Sequence, residues 1–160
     1  MASPFKDGSI EGVIVDRLKS FSDNRGWLLE MFRVDDLQTE HVPTMGYVSE
    51  TLPGVSRGPH EHVAQTDIFI FIGPGDFRIE LWDNREASPT YRTHQVVMGG
   101  AVQPTRLIVP HGVVHGYKNI SPTPALVYNF PNRLYKGVGR MEAVDEIRHE
   151  ADPASPFKME

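Results

Sequence analysis

Cysteine is absent from this chain of 160 residues. Its absence excludes disulfides, thiol nucleophiles and cysteine-bound zinc. Positive charge is in deficit: 16 Lys and Arg stand against 21 Asp and Glu, a formal charge of −5 with histidine neutral. A nucleic-acid backbone attracts the opposite sign, so nucleic acid is excluded as a partner. Long hydrophobic runs are missing too. The longest, Ile68 to Ile72, falls far short of the roughly 20 residues that span a bilayer. Met1 to Gly12 lacks the apolar stretch of a secretory signal. By elimination the expectation is a cytoplasmic protein with no membrane partner.

What the chain does have is punctuation. Gly 14 and Pro 13 make about one residue in six a breaker, against about 12% in average usage. Helices do not tolerate that density in their interiors, which argues against a helical bundle. Turn signals recur at Asp23-Asn24-Arg25-Gly26, Pro53-Gly54, Gly73-Pro74-Gly75-Asp76, Gly99-Gly100, Pro110-His111-Gly112 and Ser121-Pro122-Thr123-Pro124. Between them lie short β-branched and aromatic runs, which predict strands near 13–18, 27–32, 47–50, 68–72, 77–82, 95–98, 106–109, 116–119 and 126–130. Many short strands in a chain of single-domain length predict one all-β domain over residues 1–160, a double-sheet sandwich or barrel. Ile68–Ile72 is apolar on both faces and belongs at the centre of a sheet. Phe77-Arg78-Ile79-Glu80-Leu81 alternates, as a sheet with one wet face does. Two segments have helical potential: the short acidic 34–38, and 141–150, where a strand fits nearly as well. The tail beyond Asp152 is expected to fray or lie on the surface. Trp27, Phe69, Phe71 and Trp82 read as core.

Of the seven histidines, three form a pattern. His60 and His62 flank Glu61, and on an extended strand positions i and i+2 face the same side. Asp67 follows five residues later. His115 comes after Pro110 and Gly112 and precedes Asn119. Chance alone supplies about 0.3 His-x-His pairs at this composition, so that pair is weak by itself; the Pro-x-Gly-x-x-His-x-x-x-Asn series is far rarer. Each residue also has a plain alternative: His62 as a solvated strand residue, Asp67 as a turn acid, His115 as a turn-shaping residue, Arg25 as a surface residue, and Tyr128 as core with a wet hydroxyl.

These two segments resemble the paired motifs of the cupins, small double-stranded β-barrels (jelly rolls) with a site in the barrel mouth. A closer resemblance runs from about Val13 to Tyr128. Asp23-x-Arg25-Gly26-Trp27-Leu28-x-Glu30, Ser56-Arg57-Gly58-Pro59-His60, Asp83-x-Arg85-x-x-Ser88-Pro89-Thr90, Pro110-x-Gly112-x-x-His115-Gly116-Tyr117 and Tyr128 are similar to the dTDP-4-dehydrorhamnose 3,5-epimerase family of cupins. The resemblance implies a jelly roll with one or two short helices, a homodimer, and a nucleotide-linked 4-keto-6-deoxy sugar as ligand. It implies an epimerase or ketoisomerase that needs no cofactor: a base removes a proton beside the ketone, an enolate forms, and an acid returns a proton. By the same resemblance His60 is the base and Tyr128 the acid. Arg25, Glu30 and Arg57 surround the nucleotide and its diphosphate, and His115 lies beside the sugar.

Two departures from the family pattern shape a second expectation. Asp67 stands where the family carries a lysine that would hold enolate charge, and His62 stands where it more often has glutamine. A bare carboxylate about 4 Å from the enolate would cost roughly 4 kcal/mol at an effective dielectric of 20. The family's late aspartate, partner of the base histidine, has no clear match after Ala151. Together His60, His62, Asp67 and His115 rebuild the three-His-one-acid set of metal-binding cupins. That set suits Fe, Mn, Ni or Zn, in an enzyme or binding protein of unassigned substrate.

Overall fold

The computed structural model describes residues 4–160; Met1–Ser3, the start of the segment read for a secretory signal, lie outside the described residues. Thirteen strands follow in chain order: β1 (Lys6–Asp7), β2 (Ile14–Arg17), β3 (Ser20–Asp23), β4 (Gly26–Leu29), β5 (Tyr47–Thr51), β6 (Ser56–Glu61), β7 (Asp67–Phe71), β8 (Asp76–Asp83), β9 (Thr93–Gly100), β10 (Thr105–Val109), β11 (Val113–Asn119), β12 (Ala125–Asn129) and β13 (Ile147–Arg148). They make a six-stranded sheet, β1-β9-β8-β11-β6-β13, a five-stranded sheet, β2-β10-β7-β12-β5, and a separate hairpin, β3-β4. The two large sheets form the double-sheet architecture that the turn spacing predicts and the jelly roll that the resemblance implies.

Alternation along the strands builds the core. Phe69, Phe71, Leu107, Val109 and Val127 from the smaller sheet meet Phe77, Ile79, Leu81, Val113 and Tyr117 from the larger one. β7 is buried along its whole length and lies third in its sheet, as its two-faced apolar pattern requires. Its outward residues, Ile68 and Ile70, pack with Ile108 under Met31, Leu37 and Phe130.

Several expectations change. β6, which carries His60, lies outside the strand ranges expected from β-branched and aromatic runs, because Ser56–Glu61 contains none. The register of β6 against β11 shifts, pairing His115 with His60 and Tyr117 with Arg57. That irregularity lets Arg57 and His60, three residues apart, both face inward. Gly58 makes it feasible: its φ is +81°, and an added Cβ would meet the His115 carbonyl oxygen at 2.7 Å. The 141–150 segment forms neither a helix nor a long strand, but a loop, the two-residue β13 and a 3-10 turn at His149–Ala151. The 34–38 segment is a 3-10 turn, Val34–Asp36.

The tail does not fray. Phe157 is buried against Trp82 and Val114, and the Glu160 backbone N–H donates to Glu80 Oε1. This segment covers the face of β8 that alternation marks as wet, so Glu80 is fully buried and held by Arg78 and His94. Trp27, read as core, is 61% exposed on the hairpin. Among the described residues no helix is long and apolar enough to cross a membrane.

Gly58→Ala would force a left-handed φ onto a residue with a Cβ, costing about 1–3 kcal/mol before any clash. The contact with the His115 carbonyl adds to that. A urea titration should show the loss, and an unchanged midpoint would mean that β6 and β11 do not approach this closely.

Candidate active site

The mouth of the jelly roll gathers three imidazoles. His60 on β6 and His115 on β11 face each other across their strand pair, with ring centroids 4.6 Å apart. His62, just past the end of β6, lies 5.6 Å from His60 and 5.9 Å from His115. One ring nitrogen from each falls within a 4.8 Å group. The opposite sheet supplies Asp67 at the start of β7, Asn129 at the end of β12 and Tyr47 at the start of β5. The spacing of i and i+2 on one face thus holds for His60 and His62, and the fold adds His115 and Asp67 from distant segments.

Asp67 is fully buried but not bare. Its Oδ1 accepts from Gln65 Nε2 at 3.0 Å and Asn129 Nδ2 at 2.9 Å. Its Oδ2 lies 3.0 Å from His62 Nε2 and 3.6 Å from His115 Nε2. The other nitrogen of His62, Nδ1, donates to the carbonyl oxygen of Asp145. Burial works against charge on His62, yet the Asp67 carboxylate prevails and raises the imidazole to about 9. Burial likewise opposes charge on Asp67, and His62 outweighs it, leaving the carboxyl below its ordinary range. The pair is therefore neutral as a whole, which removes the bare-carboxylate penalty expected from the sequence.

His60 behaves differently. Burial, with His115 and His62 adding to it, lowers it to about 2, so it is a neutral imidazole with a free lone pair. His115, lowered chiefly by burial, is neutral too. Its Nδ1 donates to the Val113 carbonyl at 2.9 Å, leaving Nε2 with the lone pair. Glu146 Oε1 stands 3.8 Å from His60 Nδ1. It is an acid beside His60 that comes five residues before Ala151, in the segment read as a helix or strand.

The neighbouring Asp145 ties that segment down. Its carboxylate accepts the backbone N–H groups of Val63, Ala64 and Gln65 at 2.8–3.1 Å. His62, Gln65, Tyr135, Lys136 and Glu146 line a cleft of about 440 Å³. A second space of about 520 Å³ shares Gln65 and Tyr135 with it and reaches Tyr47 and Arg140. Two buried side-chain atoms here, His115 Nε2 and Asn129 Oδ1, lack a hydrogen-bond partner among the described residues, whereas Asp67 Oδ2 has the charged His62 beside it. Buried polar atoms are normally satisfied, so this convergence marks a place built for something else to bind.

Not every expected residue comes to it. Tyr128 is a correction: it packs with Ile68, Ile70 and Ile108 on the outer face of the smaller sheet. Adjacent strand residues point to opposite faces, and it is Asn129 that turns inward. Arg25 is paired with Asp23 on the exposed hairpin turn, and Glu30, just past β4, is exposed. The hairpin joins neither large sheet, and neither residue contacts the imidazoles. Arg57 does face inward, donating to Thr51 Oγ1 and the Glu50 carbonyl. Sequence reasoning missed Tyr47, Asn129, Asp145 and Glu146; only the Asp145-Glu146 pair offered a signal, as acids in an otherwise unassigned loop.

Two facing sheets with imidazoles gathered in their mouth define a cupin. A family model described as dTDP-4-dehydrorhamnose 3,5-epimerase matches residues 7–145, and the chain belongs to that family. It is 35% identical over 126 residues to the spore coat polysaccharide biosynthesis protein SpsL of Bacillus subtilis (strain 168), covering 79% of this chain and 82% of that protein. It is 36% identical over 128 residues to a Haloferax volcanii protein named "Probable low-salt glycan biosynthesis epimerase Agl13", covering 79% and 81%. A dTDP sugar isomerase from Desulfovibrio desulfuricans G20 superposes with a TM-score of 0.79 at 28% identity, over 93% of this chain and 91% of that one. The 4-keto-6-deoxy sugar epimerase NovW from Streptomyces spheroides shares the fold, with a TM-score of 0.77 at 22% identity over 96% and 77%.

The imidazoles set a pH dependence of stability. His60 and His115 are lowered in the folded state, so below about pH 6.5 the unfolded chain binds protons that the folded one does not. Stability falls with falling pH there, by up to about 1.4 kcal/mol per pH unit for His60, with His115 acting in the same direction. His62 is raised, so its contribution is complete below about 6.5 and is lost as pH rises through about 9. Urea midpoints should peak near pH 6.5, and His60→Gln should flatten the acid limb. A midpoint that rises steadily from pH 6.5 to 5 would contradict the assignment.

Proposed function

We propose that the protein is an epimerase of a dTDP-linked 4-keto-6-deoxyhexose, working by proton abstraction beside the ketone. The observation that carries the reading is the gathering of His60, His62 and His115 ring nitrogens within 4.8 Å of one another, with His60 neutral and its lone pair free. A ketone acidifies its neighbouring C–H bonds, and a positioned neutral imidazole is suited to take such a proton. Glu146 stands where it supports the imidazolium that results. His115 Nε2 and the Asn129 side-chain oxygen are buried without hydrogen-bond partners, which leaves both free to accept from a bound sugar. Arg57 presents a guanidinium fork at the inner edge of β6, suited to phosphate oxygens. Arg25 and Glu30 lie on the hairpin, away from the imidazoles, so their nucleotide role requires a second copy of the chain. We read the protein as a homodimer for that reason, with Phe21, Trp27 and Leu28, all more than half exposed on the hairpin, as the contact patch. Sedimentation should give a dimer, and Trp27→Asp should shift it towards monomer.

A specific feature supports a second reading, a divalent-metal enzyme. The lone pair of His115 Nε2 has no partner, Asp67 Oδ2 lies 3.6 Å from it, and the three imidazoles present nitrogens within 4.8 Å of one another. His60, His62, His115 and Asp67 would hold the ion, and it would supply Lewis acidity towards a ketone oxygen. A histidine whose reactive nitrogen binds a metal is not free to take a proton, so the two readings compete for His60.

One experiment separates them. Untagged protein is analysed for metal and then incubated with a dTDP-4-keto-6-deoxy sugar in D2O. Under the first reading, deuterium enters next to the ketone at the same rate before and after chelation, and His60→Asn abolishes uptake. Stoichiometric metal, with chelation removing all activity, would establish the second reading and end the first.

A further inference from the structure

Inversion of a carbon centre needs two groups on opposite sides of the sugar, and the displacement of Tyr128 to the outer face leaves the second unassigned. Resting on the proton-abstraction reading above, we infer that Tyr47 is the acid that returns the proton. Two observations turn its side chain inward. It is the Cα partner of Asn129, which reaches Asp67 inside the barrel. Ser49, two residues on along the same strand, reaches the core residue Tyr117. Tyr47 belongs to the five-stranded sheet and His60 to the six-stranded sheet. A sugar ring in the mouth between the sheets would show one face to each.

The hydrogen-bond directions suit the role. The Asp67 carboxylate only accepts, so the Asn129 group bonded to it is the amide NH2. That same Nδ2 donates to the Tyr47 hydroxyl oxygen at 2.8 Å. The phenol's own hydrogen is therefore unclaimed among the described residues, and the Asn129 dipole steadies the phenolate left after transfer. Its ring is about half exposed and lines the 520 Å³ space. Burial of the hydroxyl raises it to about 12, which keeps the proton in place until it is needed. Tyr117 does not compete: its ring is packed edge-on among Phe69, Phe71 and Phe77 in the core.

The step balances. The C–H bond beside the ketone breaks, its proton goes to His60, and its electron pair delocalises onto the ketone oxygen. The enolate carbon then takes the Tyr47 proton on its other face, restoring the ketone with the centre inverted. The imidazolium and phenolate return to their resting forms by exchange with water.

Tyr47→Phe, Tyr128→Phe and His60→Asn are compared in D2O by NMR, scoring deuterium uptake and inversion separately. Tyr47→Phe should keep uptake within a few fold, because His60 can return deuterium to the face it came from, while inversion falls by about 100-fold or more. Tyr128→Phe should match the wild type in both. Inversion by Tyr47→Phe within about threefold of wild type overturns the inference. So does loss of uptake and inversion together while calorimetry shows dTDP still binding. Uptake by His60→Asn at the wild-type rate sinks the proton-abstraction reading instead.

Discussion

A carboxylate with no solvent exposure must find its compensation within the protein, and around Asp67 that requirement organises the whole mouth of the barrel. Isolated, such a charge would be neutralised or expelled. Here Gln65 and Asn129 donate to one oxygen and His62 approaches the other. Each of these needs its own support. His62 is held from behind by the Asp145 carbonyl, and the Asp145 carboxylate caps the loop that carries Gln65. Asn129 is set by its place on β12 and passes a hydrogen bond on to Tyr47. One buried charge thereby fixes the positions of groups from both large sheets and from the late loop.

The compensation is local, so the neighbouring imidazoles remain free for chemistry. His62 takes the charge, while His60 and His115, packed against it, are held neutral by burial and mutual repulsion. Three histidines within one small volume thus divide into one ion-pair member and two neutral bases. The division comes from environment alone, since all three share the same chemistry. A buried acid is tolerated here because His62, just past the end of the preceding strand, supplies the opposite charge.

The periphery serves the same site. The C-terminal segment pairs antiparallel with β6 as β13, sets His149 against buried Glu61 and seats Phe157 beside Trp82. With those anchors in place, Asp145 and Glu146 are held beside His62 and His60. The hairpin, by contrast, is held by its own two strands and exposes its apolar side chains.

Much of this was legible in the chain. Breaker density and short β-branched runs determined an all-β double-sheet domain, and the two-faced run at 68–72 determined a central strand. The His60, His62, Asp67 and His115 set could be named because its motif spacing survives in linear order. Other features were decided only by tertiary structure. Which of Tyr128 and Asn129 turns inward depends on the register of β12 against β5 and β7, and a period of two makes neighbours swap faces for a one-residue difference. The Arg57–His60 alignment depends on a strand irregularity at Gly58, in a segment with no β-branched or aromatic residue to mark its extended path. Glu146 and Asp145 meet the imidazoles, and Tyr47 meets Asn129, through contacts between remote segments, and no local pattern records such a meeting.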